Sequence, residues 1–329
     1  MMKFGKWLAL VTVFVVLVLL CLSVGSVKVD FADVLRALFD QTSKHRSIVW
    51  GLRLPRVLMG LIAGASLAAV GAAFQGLLRN PLVDPYLLGV SSGASFGAVL
   101  SIYLATVSGF QFLYRLPTLS FAFAMIASLV AIVLAKKDGT IPIVELVLSG
   151  VMVSVLFSSA TITLLMLLRR NITHAYVWLF GSLSGMTWND LLSPFVFFLL
   201  FFWASLGLSQ QLNAMAIGEV QAKISGVNTE FVKLIVYSLG SLAAASVVSK
   251  TGVIGFVGLI TPHMARKLFG SDHKVLLVSS ALIGAILLCV CDAIARVIVS
   301  PSEMPIGVVT AFVGVPVMLV LLKKGENHG

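Results

Sequence analysis

Ten stretches of the chain carry little or no charge: 7–27, 57–78, 86–114, 116–135, 146–168, 191–208, 234–249, 253–265, 275–295 and 305–322. The longest polar gaps, 28–52 and 209–232, are long enough only for loops or small amphipathic helices. A helix rises about 1.5 Å per residue, so about 20 apolar residues cross a bilayer's hydrocarbon layer. The pattern predicts an all-α, polytopic membrane protein with about ten transmembrane helices, some short or tilted. It predicts one transmembrane domain spanning 1–329, with no repeat or soluble module.

Three stretches need separate reading. Lys3 and Lys6 precede the apolar run Trp7–Val27, which exceeds the roughly 7–15 residues of a signal-peptide core. It reads as a retained first membrane helix. The run 86–114 is too long for one straight span and begins YLLGVSSGASFG, which predicts a re-entrant loop and then a helix from about residue 92. Segment 171–190, NITHAYVWLFGSLSGMTWND, has polar breaks and two tryptophans, and suits the headgroup layer better than a span. Small residues recur four apart at Gly60/Gly64, Gly89/Gly93/Gly97 and Gly181/Gly185, a spacing that lets helix backbones approach closely in lipid.

Composition agrees with the pattern. Hydrophobic residues make up 59% of the 329 and charged residues 11%, with a mean hydropathy of +1.06; soluble domains run at about 45–50% and about 25%. The net charge of +10 is scattered among the gaps, without the basic stripe that nucleic-acid binding requires. Cys21, Cys289 and Cys291 all lie inside apolar runs, with neither disulfide nor zinc spacing. They read as small packing residues.

Enzymatic chemistry finds no support. The sequence has no GxxxxGK[ST], HExxH or GxSxG and no paired carboxylates, and its five histidines are far apart. No cofactor and no metal site are expected. Transport remains. The one clearly intramembrane acid is Asp292, with Arg296 a turn later on the same face. The pair reads as structural; the alternative, a relay in an ion-coupled secondary transporter, also places ionisable residues in the membrane.

Two polar stretches call for partners. GLRLPRVLMG (51–60) sets Arg53 and Arg56 around a proline at the mouth of an apolar run. LNAMAIGEVQAKISGVN (212–228) predicts a short amphipathic helix stopped by Gly226. Its mixed charge suits protein docking better than a membrane surface.

Several segments together resemble the FecCD/BtuC-type permease family of ATP-binding-cassette importers for vitamin B12, haem and ferric siderophores. They are RLPRVLMGLIAGASLAAVGAAFQGLLRNPLVDPYLLGVSSGA (53–94), GEVQAKISGV (218–227), IGFVGLITPHMARKLFGSDHKVLL (254–277) and DAIARVIVSPSEMPIGVVTAFVGVPVMLVLL (292–322). The resemblance implies a BtuC-like permease fold of ten helices in the inner (cytoplasmic) membrane, with both termini cytoplasmic. It also implies a homodimer with two ATPase subunits inside and a substrate-binding protein docking outside. Arg53, Arg56 and Arg296 would then form salt bridges with acidic residues of that binding protein. Gly218, Glu219, Ala222, Ser225 and Gly226 would form the ATPase-coupling loop. Ile143 and Val144 match the cytoplasmic gate, where the vitamin B12 importer carries small hydroxyl residues. NPLVDP (80–85) and TPHMARK (261–267) would face the cytoplasm, with His263 near the ATPase or satisfying backbone groups at a helix end.

Overall fold

The computed structural model describes residues 2–25, 29–108, 116–168, 172–299 and 302–325. Each of the ten apolar runs holds one helix: α1 Met2–Ser23, α2 Leu54–Leu77, α3 Val90–Ser108, α4 Leu116–Ala135, α5 Ile143–Leu167, α6 Trp188–Gly207, α7 Thr229–Thr251, α8 Val257–Phe269, α9 His273–Val297 and α10 Ile306–Gly325. Among the described residues, eight helices are long and apolar enough to cross a membrane. The exceptions are α10, whose apolar part is Ile306–Val320, and α8, whose 13 residues reach only about 20 Å.

Polar residues at the ends set several boundaries. Thr187 and Asp190 form a reciprocal capping box at the start of α6. Asn228 accepts the Phe231 amide at 3.1 Å to start α7, and Asp272 accepts the Lys274 amide at 2.8 Å to start α9.

The buried centre is α2, packed against α8 and α9. Alanine and glycine make that closeness possible. A Cβ on Gly64 would collide with the Gly284 carbonyl, and one on Gly71 with the Gly258 carbonyl. Gly93 and Gly97 bring α3 equally close to the α4 carbonyls of Phe123 and Leu119. Without a hydrophobic force between helices in lipid, such contact is what holds them together. Cys21, Cys289 and Cys291 are buried free thiols, as their apolar surroundings predict.

Three expectations change. Gly181 and Gly185 do not pack helices; both have positive φ, 75° and 74°, and shape the turn between the short helix Ile172–Leu179 and α6. Gly89, at φ 90°, likewise ends the turn before α3, which starts at Val90. The stretch 212–228 is two helices, Ser209–Ile217 and Glu219–Ile224, because Gly218 is extended (φ 171°, ψ 145°) and breaks the run. Gly226, at φ 82°, ends the second as predicted.

Hydrogen bonds between segments distant in the chain sort the polar segments to two ends. At one end Lys6 donates to the Leu268 carbonyl, His263 pairs with the Pro81 carbonyl, the Ile141 amide donates to Glu230 and the His273 amide to Asn213. At the other the Trp188 indole donates to the Trp50 carbonyl, the Ser182 amide to the Thr251 carbonyl and the Ile306 amide to the Gly181 carbonyl.

Gly64→Val should overpack the α2–α9 contact and cost about 1–3 kcal/mol or more. Gly207→Ala, with open space at its Cβ, should stay within about 0.5 kcal/mol. Thermal unfolding of the two variants in one detergent makes the comparison.

Candidate functional site

The arginine end is built around one carboxylate. Pro55 sits in the first turn of α2, where its missing N–H costs nothing, and a π-turn, Val49–Arg53, leads into it. Asp292, 1% exposed, lies near the end of α9. Its Oδ1 takes Arg56 Nη2 at 2.8 Å and its Oδ2 takes Arg296 Nη2 at 2.6 Å. Arg56 also reaches Glu303 at 2.8 Å.

The remaining guanidinium donors close the end of α1. Arg53 donates to the carbonyls of Leu22 and Ser23 at 2.7 and 2.9 Å. Arg296 donates to those of Cys21 and Val24 at 3.2 and 2.8 Å. Four successive carbonyls at the end of α1, those of Cys21, Leu22, Ser23 and Val24, thereby receive guanidinium donors. Arg53, Arg56 and Arg296 also line one cleft of about 250 Å³, together with Gly25, Ser184 and Glu303. Three guanidinium groups against two carboxylates leave this cleft positive.

At the opposite end a second ionic cluster joins three segments. Lys233, in the second turn of α7, is 1% exposed. Its ammonium donates to Glu219 at 2.9 Å, to Glu230 at 2.7 Å and to the Ile141 carbonyl at 2.7 Å. Glu230 accepts the Ile141 amide at 2.7 Å with its other oxygen. Lys223 adds a bond to Glu219 at 3.0 Å. Burial of the Glu219 carboxyl opposes its ionisation, but the hydrogen bonds and charges of Lys233 and Lys223 outweigh burial and hold it below its ordinary 4.5. Because the folded value is depressed, this contribution is complete above pH 4.5 and is lost as pH falls through the folded value.

Around this cluster the chain presents apolar side chains to the outside. Ile217, Val220 and Ile224 are 78%, 66% and 82% exposed on the two short helices, while Ala222 is buried against the chain itself. Ser225 bonds back to the Gln221 carbonyl, and Gly218 and Gly226 shape the backbone. Val144 projects from the first turn of α5 and Ile143 packs inward against the core.

The broken backbone before α3 is covered by protein, as a chain inside a bilayer requires. Gln75 donates to the carbonyls of Val83 and Leu259 at 3.3 and 3.2 Å. His263 pairs with the Pro81 carbonyl at 3.0 Å, so it serves this loop and not the end of its own helix.

The family model described as the FecCD transport family matches residues 13–324. The chain belongs to this family.

The cobalamin import permease BtuC of Halobacterium salinarum is 39% identical over 279 residues, covering 85% of this chain and 74% of the relative. The Fe(3+)-citrate import permease YfmD of Bacillus subtilis is 37% identical over 309 residues, covering 93% and 90%. A solved ABC transporter provisionally assigned to the metal-chelate type, in an inward-facing conformation, superposes with a TM-score of 0.85 at 33% identity, covering 96% and 98%. This FecCD-family chain is a multi-pass permease subunit of an ABC importer.

The structure therefore brings Arg53, Arg56 and Arg296 together on one cleft, and Glu219 beside Lys233. Sequence reading missed Glu303, Lys233, Glu230 and the three exposed aliphatics. Glu230 and Lys233, three apart at a helix start, carried a local signal; the partners of Arg56, more than 200 residues away, carried none.

Asp292→Asn should leave Arg56 and Arg296 facing a neutral amide and cost about 3–5 kcal/mol, read as a lower unfolding midpoint in detergent. An unchanged midpoint with transport abolished would instead indicate an ion relay.

Proposed function

We propose that two copies of this chain form the pathway of a binding-protein-dependent importer for a large metal chelate, with ferric siderophore the first choice over haem and cobalamin. Two ATPase subunits dock on the end that carries Glu219–Ile224, which faces the cytoplasm together with both ends of the chain. A substrate-binding protein docks on the opposite end, outside the inner membrane. Nucleotide-driven closure of the ATPases moves the short helices, and the gate at Ile143 and Val144 opens and closes in response.

The observation that carries this reading is the exposure of Ile217, Val220 and Ile224 on a segment between membrane helices. Large aliphatics gathered on a polar loop mark a protein-binding surface. A buried salt link behind them makes the surface rigid enough to be pushed. Ala222 and the glycines set the shape of this element, and the aliphatics supply the contact.

The outer cleft suits an acidic partner. Guanidinium groups pair bidentately with carboxylates and keep their charge. Arg53 and Arg296 are committed to the end of α1, so Arg56 is the group a docking carboxylate would engage, in place of Glu303. Along α5 the exposed side chains Val144, Leu148, Val151, Met152 and Val155 are apolar. Such a wall lets a bulky chelate pass with few specific contacts and gates by dewetting.

Affinity capture of the tagged chain from its native membrane, with mass spectrometry of what stays bound, should recover a protein with a P-loop. Val220→Asp should reduce that recovery to background; equal recovery would refute the docking surface. Glu303→Gln frees Arg56 without stranding Asp292, and should tighten binding-protein capture by about tenfold if one charge-assisted bond is gained. Weaker capture would refute the outer assignment.

A further inference from the structure

At the coupling end, Lys233 touches both the docking element and the approach to the gate, and Glu230 does so beside it, through Lys223 at 4.0 Å and the Ile141 amide at 2.7 Å. An ammonium has three N–H donors, and all three are used: on Glu219 of the short helix, on Glu230 of its own helix, and on the Ile141 carbonyl. Ile141 immediately precedes Pro142, the N-cap of α5, and Ile143 and Val144 form its first turn. Both backbone groups of Ile141 are held from α7, the carbonyl by Lys233 and the amide by Glu230.

We infer that Lys233 is a positioning residue that carries displacement of the Glu219–Ile224 helix to the start of α5, and so links the ATPase side to the gate. This inference rests on the coupling and gate reading above. The physical reason is burial. An ammonium shielded from water has no cheap substitute for a lost carboxylate, so moving Glu219 away leaves one of its three N–H donors unpaired and is opposed. The link is short and saturated: from carboxylate to ammonium to carbonyl there is no flexible segment to absorb motion. The same displacement has no comparable route through the exposed turn Lys136–Thr140, which is held by a two-bond bridge between Lys137 and Thr140.

The test uses the assembled transporter in nanodiscs with a spin label on Val144→Cys in each protomer. Cys21, Cys289 and Cys291 are buried, and replacing them with alanine leaves one labelling site. Trapping nucleotide with vanadate should change the label separation in the otherwise unsubstituted chain. Lys233→Met should abolish that change in complexes that have trapped as much nucleotide. A stabilising role alone would lower the unfolding midpoint and leave the shift per trapped nucleotide intact, and that result overturns the inference. Should Lys233→Met fail to assemble, Glu230→Gln weakens one of the three bonds and keeps Glu219 in place. It should reduce the shift, and a full shift overturns the inference equally. If the unsubstituted chain shows no shift, the gate reading itself is wrong and the link falls with it.

Discussion

A charge that leaves water inside an apolar protein has to be matched. Two such matches, at opposite ends of the bundle, organise what this chain does. At one end Asp292 lies between Arg56 and Arg296; at the other Lys233 lies between Glu219 and Glu230. Between them the helices are joined by contact of glycine and alanine backbones, which tolerates little deformation. The ionic clusters thus sit where segments distant in the chain have to be held together.

The two clusters differ in what they hold. The arginine cluster ties the end of α1 to α2 and α9 and supplies donors to four successive carbonyls there. It is a fixed anchor beside one positive cleft. The lysine cluster ties a short surface helix to the approach of a membrane helix. It joins elements that have few other contacts, which suits a part that transmits movement.

The helices were legible because burial in lipid demands long apolar runs, and all ten runs hold one. The glycine pairs were legible in α2 and α3, where the four-residue spacing lies on one helix face. The same spacing at Gly181 and Gly185 misled, because a turn with positive φ asks for glycine as strongly as helix packing does. Gly218 broke a segment that reads as one helix, since extended glycine leaves no mark on hydrophobic periodicity. The pairing of Asp292 with Arg296 was legible because the two lie one helical turn apart, but the partners of Arg56 were hidden, Asp292 being 236 residues away and Glu303 in a distant loop. Lys233 reads as one more loop charge until the Ile141 carbonyl, 92 residues away, is seen beside it.

ATP-driven import through a pathway with no chemistry of its own is the central claim. Its most direct measurement is uptake of a ferric siderophore by proteoliposomes holding the assembled transporter, with its binding protein on the outside. Nucleotide inside is varied independently of proton and sodium gradients. Uptake should require ATP inside and persist when both ion gradients are collapsed. Uptake that follows an ion gradient in the absence of nucleotide would contradict this account and return Asp292 to the role of a relay.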